Sequence, residues 1–309
     1  MMKFCASCGV KEDDDIKLKT CNACYLVRYC GSKCQRDHWP QHKRECKRRA
    51  AELRDEILFT QPESSHMGDC PICCLPLSLD VSVTTMMTCC GKTLCGGCYY
   101  ANQQREFEQR LQRKCPFCRQ PEPNSVEEQL RYVMKRIEAN DPLAMKEMGL
   151  FCLLERKDHK SAFDYWSKAA RLGDLGAHYQ LSRFYRKGGN GVEKDEKKRV
   201  YHLEEAAIGG HVDARYELGN FEAENERYAR ATKHFIIAAN MGHVKSLELL
   251  KDNYAKGFVA KDDFASALRA HKAAVEATKS PQRESGEAYL RMQREQRKLC
   301  AAAGKLRLF

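Results

Sequence analysis

Apolar side chains at helical spacing mark out a succession of helices along this chain. Lys43 to Phe59 reads as a helix with Leu53, Ile57 and Leu58 on one side and arginines and acids opposite. Gln61 to Gly68 is short and polar, the composition of a linker. Ser125 with Glu128 forms a capping box that opens an amphipathic helix carrying Leu130, Val133, Met134 and Ile137. The tail from Pro281 reads as a further amphipathic helix to about residue 303, with Leu290, Met292, Leu299 and Ala302 set among arginines.

Between residues 141 and 279 the pattern repeats. Ala169-Ala170, Ala206-Ala207, Ala238-Ala239 and Ala274-Val275 recur at separations of 37, 32 and 36, and Gly173, Gly210 and Gly242 follow the first three pairs by three residues. Glycine there stops a helix at positive φ, and the alanines let a neighbouring helix approach closely. Tyr165 and Trp166, Leu203 and Phe235 precede the pairs, and Met148, Leu181, Leu218 and Leu250 mark the first helix of each unit. This is an array of helical hairpins in which Trp166, Tyr179 and Tyr185 belong to the core. Gly188-Gly189-Asn190-Gly191 reads as a hairpin loop, because no strand precedes it and no Lys-Ser/Thr follows. Unit four lacks the terminal glycine and is expected to cap the array.

The chemistry is concentrated in the first 118 residues, where sixteen side chains form eight pairs with metal-ligand spacing. The first four are Cys5-x2-Cys8, Cys21-x2-Cys24, Cys30-x3-Cys34 and His42-x3-Cys46. Soft thiolates with an imidazole, four to a centre, suit tetrahedral zinc. Four pairs in 42 residues imply two closed structural sites. A second cluster follows from Cys70 to Cys118. The sequence has no apolar signal segment, and fifteen of its 18 cysteines make sense as reduced thiolates, so an intracellular protein, cytoplasmic or nuclear, is expected. No apolar run nears the ~18 residues a membrane span needs. The formal charge of +11 falls to about +4 once fifteen thiolates and four zinc ions are counted, which removes most of the case for a nucleic-acid partner. Two basic patches remain, His42 to Arg49 and the tail, and both read as solvated helix faces.

The first cluster resembles the MYND zinc finger at all eight ligand positions and in the run Cys34-Gln35-Arg36-Asp37-His38-Trp39-Pro40-Gln41-His42-Lys43. The resemblance implies interleaved ligation, with Cys5, Cys8, Cys30 and Cys34 on one zinc and Cys21, Cys24, His42 and Cys46 on the other. It also implies a groove for proline-containing peptides lined by Gln35 and Trp39; packing of Trp39 against the zinc loop is the alternative.

The second cluster resembles a RING finger through Cys70-Pro71-Ile72-Cys73, Cys95-x2-Cys98 and Cys115-Pro116-Phe117-Cys118. Cys70, Cys73, Cys95 and Cys98 would hold a third zinc. Lys92 stands where that family has histidine, and a protonated lysine does not ligate, so the fourth set becomes Cys89, Cys90, Cys115 and Cys118. Adjacent cysteines can share an ion only if the backbone turns sharply at that point. Ile72, Pro116 and Arg119 match positions with which active RING members contact a ubiquitin-charged conjugating enzyme. The hairpin array resembles Sel1-like repeats, relatives of the tetratricopeptide repeat.

The expected fold is therefore mostly α: two small zinc-stapled N-terminal modules followed by an α-helical hairpin-repeat solenoid. The boundaries expected are 1–48 for the first finger, 49–68 for a helix and linker, 69–122 for the RING-like finger, 123–279 for the repeats and 280–309 for a basic tail. No segment resembles the SET methyltransferase domain that some MYND proteins carry. Two functions stand: a zinc-dependent adaptor that binds a peptide at the finger and a second protein along the solenoid, or a RING-type ubiquitin ligase for which those modules recruit substrate.

Overall fold

The computed structural model describes residues 3–302 apart from Asn190, with side chains as far as Gln296. Asn190 of the glycine-rich loop, the side chains of Leu299, Cys300 and Ala302, and the tail beyond lie outside the described residues. The chain separates into two compact units, Met1–Thr60 and Gln61–Phe309.

The first unit pairs two short antiparallel strands, β1 (Lys19–Thr20) and β2 (Arg28–Tyr29), and continues into one long helix, α1 (Ser32–Leu58). The helix begins eleven residues before the Lys43 expected from sequence and passes through Pro40. An interior proline normally ends a helix because it lacks an N–H and crowds the preceding turn. Here Cys34, His42 and Cys46, all on α1, are gathered by metal-ligand clusters on both sides of Pro40, and this tertiary demand outweighs the local cost. The apolar stripe is also narrower than expected, since Leu58 is buried but Ile57 is 53% exposed. Arg48 and Arg49 pair with Glu52 and Glu56 on the same exposed helix, so this basic run is a solvated face laced by short-range ion pairs.

The second unit opens with a small module, β3 (Thr84–Met86) paired antiparallel to β4 (Thr93–Cys95), followed by α2 (Gly96–Glu108). Then come α3 (Val126–Glu138) and four antiparallel hairpins. These are α4 (Pro142–Leu154) with α5 (His159–Arg171), α6 (Leu175–Lys187) with α7 (Glu196–Ile208), α8 (Val212–Glu224) with α9 (Tyr228–Asn240), and α10 (Val244–Ala255) with α11 (Lys261–Ala277). Their starts are well signalled. Ser125 Oγ accepts from the Glu128 amide at 3.2 Å, and Asp141, Asp158, Asp174 and Asp195 cap four further helices. Gly173, Gly210 and Gly242 adopt φ of +87°, +88° and +91°, as the repeat spacing requires. Trp166, Leu181, Leu203, Leu218 and Leu250 are at most 2% exposed, and the paired alanines lie between packed helices.

Two segments differ from expectation. Gln61 to Met67 is seated on the repeats: the His66 amide donates to Gly210 O at 3.0 Å, Asn240 Nδ2 donates to Gln61 Oε1 at 3.1 Å, and the His66 ring stacks on His211. Its polar composition hid a docking that uses backbone groups and aromatic rings. The tail helix, α12 (Pro281–Ala302), returns to pack along α2, and Arg283 and Leu290 are buried there. The reading of α12 as a wholly solvated basic face is corrected accordingly.

Candidate metal centres

Sixteen ligand atoms converge into four groups: Cys5, Cys8, Cys30 and Cys34; Cys21, Cys24, His42 and Cys46; Cys70, Cys73, Cys95 and Cys98; and Cys89, Cys90, Cys115 and Cys118. Within each group the atoms lie within 4.8 Å of one another. A tetrahedral ion with Zn–S bonds of about 2.3 Å sets neighbouring sulfurs about 3.8 Å apart. The observed separations are 3.6 Å for Cys8–Cys30, 3.8 Å for Cys21–Cys46, 3.8 Å for Cys73–Cys95 and 3.8 Å for Cys90–Cys115, with Cys24 Sγ 3.3 Å from His42 Nε2. A disulfide needs about 2.05 Å, so these are converging thiols and not oxidised pairs. The donor set, its closed geometry and its spacing all fit zinc.

One backbone device builds four of the eight pairs. After Cys5, Cys21, Cys70 and Cys115 the chain turns so that the amide of the fourth residue on donates to the cysteine carbonyl at 2.8–2.9 Å. That fourth residue, Gly9, Tyr25, Cys74 or Arg119, has φ between +56° and +75°. Cys74 thus takes the left-handed corner of a turn, outside the tetrad, and is exposed. The Cys118 and Cys98 amides point at the sulfurs of Cys115 and Cys95, 3.5 and 3.4 Å away, where they would stabilise thiolate charge.

The adjacent pair Cys89-Cys90 is explained by a sharp turn. The amides of Cys90 and Gly91 both reach Met87 O, at 3.3 and 2.7 Å, with Gly91 at φ +70°. This places both thiols on one side, where Cys118 Sγ is 3.4 Å from Cys89 Sγ. Lys92 does not enter the cluster; its ammonium sits over the Phe117 ring, 5.6 Å from the centroid.

The thiols within a group compete for ionisation. Burial pushes Cys5 up, but the amides of Cys8, Cys30 and Ser7 bring it down to about 6, whereas hydrogen bonding among the thiols pushes Cys30 up to about 12. Burial pushes Cys21 up too, but hydrogen bonds with His42 and nearby amides bring it down to about 6; Cys46 rises to about 12 through burial and the neighbouring thiols. Cys89 and Cys90 are both raised, first by burial and then by their neighbours. In the first two groups one thiol takes a negative charge readily while another resists it, a conflict that a divalent cation removes.

Around the second centre His42 is 3% exposed and is enclosed by rings: His38 stacks on it at 5.7 Å, while Tyr29 and Trp39 approach edgewise at 6.4 Å. Trp39 remains 41% exposed, and Gln35, one turn earlier on α1, is exposed too. In the other module Ile72 and Arg119 are exposed and Pro116 is half-buried, each beside a metal-ligand cysteine.

Comparison with known proteins divides the chain. The MYND finger family model matches residues 5–46, and the Sel1 repeat model matches residues 142–174, 176–211 and 212–243. No RING-type family matches the Cys70–Cys118 cluster. Chitin synthase regulatory factor 4 of Schizosaccharomyces pombe is 29% identical over 86 residues, which cover 28% of this chain and 14% of that protein. The human histone-lysine N-methyltransferase SMYD3 is 55% identical over 31 residues, 10% of this chain and 7% of that one. The chain thus spans only a small part of the curated relatives it matches. A solved Sel1 repeat protein from Oxalobacter formigenes shares 30% identity, with a TM-score of 0.42, over 50% of this chain and 65% of that chain. The chain therefore carries a MYND finger at its N-terminus and Sel1 repeats between residues 142 and 243, both modules of protein interaction, and a further pair of cysteine tetrads between them.

Proposed function

We propose that this protein is a zinc-dependent interaction adaptor whose finger binds a short proline-containing peptide and whose helical repeats bind a second protein. The observation that carries this reading is Trp39. An indole 41% exposed, fixed at one edge by the buried ligand His42 and sharing a helix face with Gln35, offers a flat apolar platform beside a polar anchor. Zinc in the two tetrads of this finger holds that platform rigid, because a module of this size has little core of its own. Proline-containing peptides bind such surfaces at low entropic cost, being already extended. The test is titration of proline-containing peptides against wild type and Trp39→Ala, with metal content measured in both. The variant should keep its zinc and lose peptide affinity by more than tenfold; unchanged affinity would remove Trp39 from the groove.

A ubiquitin ligase is the second reading, favoured by the exposure of Ile72 and Arg119 beside two closed tetrads. Such a module would act by docking a charged conjugating enzyme, with Arg119 offering its forked donors to the bound ubiquitin. Autoubiquitination across a panel of conjugating enzymes, lost in both Ile72→Ala and Arg119→Ala, would establish it; silence across the panel leaves the adaptor.

A further inference from the structure

Arg283 is 4% exposed, an unusual position for a guanidinium. Its terminal nitrogens find four acceptors: Nη1 donates to Pro76 O and to Thr278 O at 2.8 Å, and Nη2 donates to Leu75 O at 2.9 Å and to Cys73 Sγ at 3.2 Å. Three of the four belong to the turn that begins at Cys70 or to the chain just leaving it. Arg283 lies about 200 residues from that turn in sequence, so tertiary structure alone brings it there.

The approach is built into the helix crossing. A Cβ on Gly286 would fall 2.3 Å from the carbonyl carbon of Gly96, and one on Gly97 would fall 2.8 Å from Arg283 Cα. Side chains wider than hydrogen at these positions would hold α12 away from α2 and withdraw the guanidinium from the sulfur. One helical turn further on, Tyr289 donates its hydroxyl to Gln103 Oε1 at 2.7 Å, and its ring meets that of Tyr100 at 4.5 Å.

Four thiolates around one divalent ion carry a net charge of about −2, and burying that charge without a counter-cation is costly. Cys73 has such a cation hydrogen-bonded directly to its sulfur, the guanidinium of Arg283. We infer that Arg283 is a positioning residue of the third centre: its guanidinium fixes Cys73 Sγ and the turn around it against the ion, slows metal release there, and makes α12 part of the metal centre. The inference rests on the reading that Cys70, Cys73, Cys95 and Cys98 bind zinc.

The test uses the full chain loaded with zinc, or with cobalt as a spectroscopic probe, and compares Arg283→Met, Arg283→Lys and Tyr289→Phe with wild type. Release into a chromogenic chelator should show one of four ions leaving about 10-fold to 100-fold faster in Arg283→Met, with Arg283→Lys between it and wild type. The sulfur-to-cobalt charge-transfer band should shift in the methionine variant. Tyr289→Phe, which removes a helix contact but keeps the guanidinium, should release metal as wild type does. Equal release rates and an unmoved band in Arg283→Met would overturn the inference. Should that variant not fold, the same result in Arg283→Lys would overturn it. Failure of the underlying metal reading has a separate signature: wild type and Cys70→Ser would then hold the same number of ions.

Discussion

His66 lies flat on His211, with ring centroids 3.9 Å apart and the planes 17° from parallel. The first ring belongs to the segment that leaves the first unit and the second caps α8 through its Nδ1, so this stack fastens an otherwise polar stretch to the repeats. Burial lowers His66 to about 4, and burial followed by the charge of its partner lowers His211 to about 3. Asp213, in the first turn of the helix that His211 caps, and Lys146 of α4 act on the pair in opposite senses, and the Tyr179 ring covers His211 at 4.5 Å.

Acid should therefore loosen this contact. Both rings are neutral when docked, while a freed histidine takes up a proton near pH 6.5. The docking contribution is fully present above that value and is lost as pH falls from about 6.5 towards 4. Hydrogen exchange of residues 61–68, corrected for the intrinsic rate, should rise steeply between pH 7 and 5 in wild type and less in His66→Phe. Exchange that does not depend on pH would sink the assignment.

Two equivalent glycines separate the docking from the helix stop. Gly173 and Gly210 share the same left-handed backbone, so alanine at either costs about 1 kcal/mol. A Cβ on Gly173 meets nothing within 4 Å, but one on Gly210 would sit 2.5 Å from Ser64 O. Gly210→Ala should lower Tm more than Gly173→Ala and should also raise exchange in residues 61–68. Equal losses would mean that the Ser64 contact contributes nothing to stability.

The turn at Cys89-Cys90 predicts that each of these two residues is needed for the fourth ion. Native mass spectrometry should find four metals in wild type and in Cys74→Ser, and three in Cys89→Ser or Cys90→Ser. A fourth ion retained in either of the last two would show that one thiol is dispensable there.

Strong chelation should affect the two halves of the chain differently. Structural metal sites of this kind supply most of a small module's folding free energy, on the order of 10 kcal/mol per site, whereas the hairpins bury Trp166, Leu181, Leu203 and Leu218 with no ligand cluster among the described residues. Far-UV circular dichroism should keep most of its helical signal after metal removal, and limited proteolysis should cut residues 3–120 before 142–243. Cooperative loss of all helix on chelation would contradict this separation.

Much of this molecule was readable from residue types because those residues do one thing. Cysteine pairs with two or three residues between them announce a turn around an ion, and Gly173, Gly210 and Gly242 announce a helix stop. What escaped was carried by groups that sequence patterns do not display. The early start of α1 was hidden by Pro40, whose local preference yields to ligands on both sides of it. Arg283 looks like any other arginine in a basic helix, and the signals that another backbone comes near are Gly96-Gly97 at the head of α2 and Gly286 within α12. The docked segment from Gln61 to Met67 makes its contacts through amides, a glutamine and a histidine, which read as solvent-facing residues until their partners 144 or more positions away are known.

The path from α3 to α12 begins and ends on the same small module. Arg136 of α3 donates to Thr88 O at 3.1 Å at one end, and Arg283 grips the Cys70–Cys73 turn at the other. Helical arrays usually have a free terminus and tolerate gain or loss of a repeat there. This one is closed on itself like a clasped bracelet, so its length is fixed by the distance between the two clasps. Inserting or deleting one hairpin should therefore pull α12 away from α2, which ties the number of repeats in this chain to its cysteine-rich module.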